Sequence, residues 1–408
     1  MLQGVGFTGS ATKPLLSSAC NVITVNRTDS PTNTGSADAG GAYTAGRTRP
    51  DLVAPERPTS TAAPRVASAA ALLVEVGHEN PTLSTDPAGL STTNRSGDTV
   101  YNAERSEVIK AALMAGADRQ TTNSTSGDIT DYRDAAIDRT ANGLDRRYGA
   151  GQLNIQRSYH IIAAGEQNSL EDDGSSFGQV GTTGFDYDPK FGGSAGSNAS
   201  ATYYFVQPTG TARLTATLAW NIDIDGGTSN NFDGTATLYD LDLQLFDVTD
   251  PVNWVSVGSS NSSTENTENL WQLLEAGKTY AMRVDRGASQ GSFKWDYGLA
   301  WQITPVAALA VDPITLPDAD WNQVYGPHAL SASGGQPPYS WAVVSGALPP
   351  GLTLNPVGEI SGTPTTVMTA DFTVQVTDAD STTATLNLQI EVKIDGYVCG
   401  QCHTGTGF

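Results

Sequence analysis

Basic residues are scarce in this sequence of 408 residues. Lys and Arg total 22 against 43 Asp and Glu, a formal net charge of −21. No basic stripe gathers along the chain, which excludes a nucleic-acid partner. Only three cysteines occur, Cys20, Cys399 and Cys402, too few for a disulfide framework. No run of about eighteen apolar residues exists, so no membrane span is expected. Met1-Leu2-Gln3-Gly4-Val5-Gly6 lacks the basic and apolar regions of a secretory signal. Histidine is equally thin, with four residues, His78, His160, His328 and His403.

What is present points to turns and short strands. The chain carries 43 Gly and 21 Pro with 38% hydrophobic residues, and its length suggests two to four domains. The acidity serves solubility, and acidic loops can also hold calcium. Asn21-Val22-Ile23-Thr24-Val25-Asn26 reads as a buried parallel strand. From Pro58 a run of small residues, Ala62, Ala63, Ala67, Ser68, Ala69, Ala70 and Ala71, has the composition of a central helix approached from all sides. Thr59 or Ser60 caps its start, and Pro64 falls where backbone N–H groups still lack intrahelical partners. Ser60 thus lies at a helix N-terminus, where a developing negative charge is favoured. A second helix is expected over Arg105 to Ala115, with Val108, Ile109, Ala112 and Leu113 on one face and Gly116 ending it. Residues 119–141 read as a surface loop, and a further helix runs through Tyr159 to Ala164.

From about residue 171 the chain turns to period-two alternation. Ala201–Val206, Arg213–Trp220, Leu241–Phe246, Thr279–Val284 and Tyr297–Gln302 read as antiparallel strands of a sandwich or jelly roll. In Asn221-x-Asp223-x-Asp225-Gly226 the spacing starts like a calcium loop, but Phe232 stands where the closing Glu belongs. A solvated acidic turn and a calcium site both remain open there, and Asp242 and Glu268 could share an ion. At the tail, Cys399-Gly400-Gln401-Cys402-His403 has the form of a c-type haem attachment site, two thiols for the vinyl groups and a histidine for the iron. A disulfide, a zinc-like pair or the start of a further domain are the alternatives.

Two elements carry a resemblance to the subtilisin-like serine peptidases, the subtilases. Thr59-Ser60-x-Ala62-x-Pro64 opening an Ala-rich helix resembles the family's nucleophile segment, and Arg49-Pro50-Asp51-Leu52-Val53-Ala54-Pro55 resembles the element preceding it. Pro58 and Arg65 depart from the usual residues. Asn142 to Gly151 resembles the segment that closes the catalytic domain. The resemblance implies that Ser60 is the nucleophile. It also implies an aspartate, a histidine and an oxyanion asparagine ahead of it, and none of the 59 residues before Ser60 is a histidine. The expectation is therefore a C-terminal portion of a secreted subtilase, truncated, fragmentary or degenerate, inactive as it stands and acting on proteins or peptides only if the missing half is supplied.

Asp240 to Val284 resembles a β-sandwich appended to some subtilases. Gly334 to Trp341, Leu348 to Leu354, Gly358 to Pro364 and Phe372 to Asp378 resemble a bacterial immunoglobulin-like repeat, with Trp341, Leu352, Ile360 and Phe372 filling its core. The fold class expected is multidomain: a partial α/β subtilisin-like domain over 1–170, then two all-β sandwich domains over 171–303 and 304–392, and a tail over 393–408. The resemblance places the chain outside the cell, in the periplasm or at the cell surface, with an extracellular ligand for the immunoglobulin-like unit. The rival reading is a non-enzymatic binding or adhesion chain; a third is electron transfer through the tail.

Overall fold

The computed structural model describes residues 2–4, 21–29, 50–55, 59–86, 89–123, 127–171, 179–206, 210–224, 236–335 and 337–394. Strands dominate it, and the chain divides into two compact units, Met1–Pro305 and Val306–Phe408.

The first unit opens on a parallel sheet of β1 (Leu2–Gly4), β2 (Ile23–Arg27) and β3 (Leu52–Ala54), with Val25 opposite Leu52. Residues 150–153 continue it: Val53 N–H donates to Gly151 O (2.9 Å) and Leu153 N–H to Val53 O (2.8 Å). Gly151 is required there. Its φ is +117°, and a Cβ on it would lie 2.3 Å from Asp118 O.

Three helices follow: α1 (Thr59–Glu79), α2 (Ser106–Ala115) and α3 (Ile155–Ala163). The helix α1 differs from the all-round burial its small residues suggest. Ala62, Val66, Ala69 and Leu73 are buried in one stripe, while Leu72 and Val74 are exposed. Among the described residues, the parallel sheet, α3 and the turn at Asn102–Glu104 pack against it. By contrast α2 is buried throughout from Glu107 to Ala115. Gly116 follows it in ordinary right-handed conformation (φ −79°). It serves close packing instead of a left-handed cap, since a Cβ there would meet Ser158 N at 2.7 Å.

The burial of α2 comes from a sandwich. A four-stranded antiparallel sheet, Thr267–Leu274, Ala212–Ala219, Trp295–Pro305 and Thr183–Phe191 in spatial order, faces a five-stranded sheet of Val255–Ser260, Leu241–Asp247, Thr279–Arg286, Ser200–Val206 and Leu170–Glu171. Leu214, Leu218, Trp301, Tyr203, Leu243 and Met282 fill the space between them. The outer face of the four-stranded sheet receives α2, whose core includes Phe185, Tyr187, Ala219 and Ala300 from those strands. A strand covered on both faces loses its alternation, and all eight residues of Ala212–Ala219 are buried. The boundary placed at residue 170 falls inside this unit.

In the second unit, Ala319–Asp320, Thr383–Lys393, Thr369–Thr377 and Ser340–Gly346 form one sheet and Tyr325–Ala329, Glu359–Gly362 and Leu352–Leu354 another. Trp341, Leu352, Ile360 and Phe372 all lie in its core. Gly351 turns the Pro349-Pro350-Gly351 corner at φ +98°, with Leu352 N–H donating to Pro349 O (3.0 Å).

Candidate functional site

Ser60 is the second residue of α1, in the turn whose backbone N–H groups have no intrahelical acceptors. The strand before it is tied down from Asp51, whose carboxylate accepts from Thr24 N–H (2.7 Å). An open, largely apolar groove of about 550 Å³ runs beside the first turns of α1, lined by Pro55, Thr61, Arg65, Leu72, Leu153 and Ile155.

The histidines are elsewhere. His78 lies in the last turn of the same helix, about 27 Å along its axis from Ser60 at 1.5 Å per residue. There its Nδ1 sits 3.2 Å from the Glu104 carboxylate. His160 is exposed on α3 against Tyr159, and His328 packs on Tyr325 in the second unit. Cys399, Cys402 and His403 lie outside the described residues, as does Asp225.

The remaining residues of the expected calcium set are spread across the sandwich. Asp223 begins the short strand Asp223–Ile224 and accepts from the Tyr239 hydroxyl (3.1 Å). Asn221 spends its side-chain amide on the first turn of α2, donating to Ser106 Oγ (3.1 Å) and to Glu107 Oε1. Glu268 is fully buried and held by Ser260 Oγ and by Ser262 N–H (2.8 Å). Burial pushes its carboxyl well up, and Asp242 adds to that. Asp242 itself is raised to about 6 by burial and by the charges of Asp240 and Asp285. The structure thus brings Asp242 near Glu268 and Asp285, and leaves Asp223 with Tyr239.

A different acidic group forms where the helices meet the sandwich. Asp86 follows α1 in a loop, Glu166 follows α3, and Asp186 lies in the strand Thr183–Phe191. Each offers a carboxylate oxygen within 4.8 Å of the other two, and all three are buried. Glu166 is fixed by its surroundings: Oε2 accepts from Thr85 N–H and Asp86 N–H (2.7 Å), and Oε1 accepts from Asn102 Nδ2 (2.9 Å). Asp186 Oδ2 accepts from the Tyr203 hydroxyl (2.7 Å), which also meets the Tyr297 hydroxyl at 2.7 Å. Desolvation raises Glu166 to about 7. It raises Asp186 well above the carboxylate range, with the charge of Glu166 adding to it. No spacing pattern reveals this group, because its members stand 80 and 20 residues apart. The one local signal is Phe185-Asp186-Tyr187-Asp188, in which alternation puts both acids on the same face of a strand.

The architecture defines a mostly antiparallel, two-unit β-sandwich chain with a small helical layer on its first unit. Within it, residues 312–393 match the family model described as "Putative Ig domain", so the second unit is an immunoglobulin-like domain. No curated protein matches the chain in sequence. Among solved structures, the M60 catalytic domain with the CBM51-1 and CBM51-2 domains from Clostridium perfringens ZmpB is similar over 48% of this chain and 18% of that one, at 11% identity and a TM-score of 0.17. The protocadherin GammaB4 extracellular domain is similar over 33% of this chain and 25% of its own, at 16% identity and 0.19. For the human desmocollin-1 ectodomain the values are 41%, 35%, 10% and 0.18. The chain therefore spans only a minor part of these proteins, and likenesses at such scores carry no argument about its function.

Proposed function

We propose that this chain acts outside the cell as a non-enzymatic binding or adhesion polypeptide. The observation that carries the reading is the immunoglobulin-like domain at 312–393, an all-β scaffold whose ends and edges present side chains to a partner. One end of it has an exposed apolar patch. Trp321 N–H donates to Lys393 O (2.7 Å), Asn322 N–H to Pro364 O (2.9 Å) and Val392 N–H to Met368 O (2.7 Å). These bonds gather Trp321, Val367 and Met368 at one end, and all three are exposed, Trp321 at 46%. An exposed tryptophan flanked by aliphatic side chains is the composition of a binding hot spot.

Retention of the whole chain on insoluble polysaccharides and on immobilised matrix proteins tests this. Binding to at least one surface is expected, with a loss of about tenfold in affinity, roughly 1.4 kcal/mol, on Trp321→Ala. A chain that binds none of them, or a variant that binds as well as the parent, defeats the reading.

A second reading, a serine-hydrolase polypeptide of the subtilase type, is favoured by one specific arrangement. A parallel strand ending near Ala54 leads into a helix whose second residue is Ser60, and a Gly-containing segment at 149–151 closes against that strand. A serine needs a base within hydrogen-bond reach to act as a nucleophile at neutral pH, and His78 is a helix length away. The chain alone is expected to give no labelling of Ser60 by a fluorophosphonate probe, with Ser60→Ala as the blank. Robust labelling lost in that variant would replace the binding reading with the hydrolase one.

A further inference from the structure

We propose that Asp86, Glu166 and Asp186, with the side-chain oxygen of Asn102, form a calcium site that joins the helical layer of the first unit to its sandwich. The three carboxylates come from three separate parts of the chain: the loop after α1, the segment after α3, and the strand Thr183–Phe191. They converge at one buried point, with carboxylate oxygens within 4.8 Å of one another.

A second observation, independent of the acids, points to a cation there. Asn102 is only 1% exposed, and its Nδ2 donates both to Glu166 Oε1 and to Gly89 O (2.7 Å), which fixes the amide at the edge of the cluster. Among the described residues nothing donates to its buried Oδ1, and Asp186 Oδ1 is in the same condition. Two buried oxygens without a donor among the described residues, beside a Glu166 Oε2 held by backbone N–H groups and an Asp186 Oδ2 held by a tyrosine hydroxyl, cost desolvation energy that a bound cation recovers.

The donor chemistry selects the ion. All contributing atoms are hard oxygens, with no thiolate or imidazole among them, which favours calcium or magnesium over zinc or copper. Calcium takes oxygens at about 2.3–2.6 Å, so that two ligands across it stand up to nearly 5 Å apart, whereas magnesium needs about 2.1 Å and an almost regular octahedron. A donor set assembled from separate parts of the fold suits the ion that tolerates an irregular shell, which is calcium. Three carboxylates and an amide oxygen also leave room for water in its coordination shell.

The test uses the full chain, stripped with EGTA. Terbium is expected to bind and to luminesce on excitation of tyrosine, because Tyr203 touches a ligand directly, and calcium is expected to displace it. One calcium should be lost, or bound at least tenfold more weakly, in both Glu166→Gln and Asp186→Asn, while Asp242→Asn leaves it in place. Calcium should also raise the melting temperature of the wild type by about 5 °C at saturating concentration, reversibly with EGTA. This wild-type measurement decides the matter even if both variants fail to fold. No calcium binding at millimolar concentration, binding unchanged in both variants, or tighter binding of magnesium than of calcium would each overturn the proposal.

Discussion

Gly298→Ala is expected to destabilise the first unit by about 3 kcal/mol or more, and Gly298→Val to prevent its folding. Gly298 lies in the strand Trp295–Pro305, on the face that receives α2. A Cβ built there falls 2.6 Å from Val108 N, 2.7 Å from Glu107 C and 2.9 Å from Val108 Cα. These are backbone atoms of the first turn of α2, so no side-chain rotation relieves the overlap. Either the helix lifts off the sheet or the strand buckles. Lifting α2 uncovers Val108, Ala112 and Leu113, each fully buried, together with Ala300 and Ala219 on the sheet. The control is Gly291→Ala, where an added Cβ meets nothing within 4 Å. Urea unfolding followed by tryptophan fluorescence checks this: the midpoint should fall sharply for the first variant and stay put for the second. Equal midpoints for Gly298→Ala and the parent would mean that α2 is not seated on this strand.

That contact also shows where sequence reasoning runs out. Within α2 the periodicity of Val108, Ile109, Ala112 and Leu113 is readable, and the helix forms at Ser106–Ala115. What the helix packs on is not readable, since Gly298 is nearly 200 residues away and looks like one more glycine among 43. The strands of the sandwich that face solvent on one side, such as Leu241–Asp247, announce themselves by alternation. The strand Thr183–Phe191 does not, because Asp186, Asp188 and Pro189 give it the composition of a loop. It becomes a strand because both faces are covered, and the same cover buries its two acids. In the second unit the Pro349-Pro350-Gly351 corner and the alternating Phe372-Thr373-Val374-Gln375-Val376 run are local signals, and an immunoglobulin-like domain follows from them. The carboxyl group at Asp86, Glu166 and Asp186 is the opposite case. Its geometry is wholly tertiary, while the acidic spacing at Asn221-x-Asp223 places its first side chain on α2.

The first unit is expected to lose stability as pH rises from 4.5 to 8, and Glu107→Gln to remove a measurable part of that loss. Glu107 sits in the first turn of α2 and is buried at 8% exposure. A helix N-terminus favours its negative charge, but burial outweighs this and raises its pKa, and the neighbouring charge of Asp296 raises it further. Asp296 is itself raised by burial, against the opposing pull of the Tyr187 hydroxyl (2.5 Å from its Oδ2) and of Arg105. A carboxyl whose folded-state pKa stands above its unfolded value holds its proton more tightly in the native chain. Its contribution is complete below the ordinary value of 4.5 and is lost as pH climbs through the folded-state value, at about 1.4 kcal/mol for each unit by which the two differ. The amide of Gln keeps the shape and an oxygen for the Asn221 amide, carries no charge at any pH, and relieves Asp296 of its neighbour. The variant should therefore unfold at higher denaturant than the parent at pH 8 and at nearly the same denaturant at pH 5. A parent whose midpoint rises between pH 5 and 8, or a variant with the parent's slope, would show that these two acids enter the fold already ionised and that Arg105 and the helix end suffice to hold both charges.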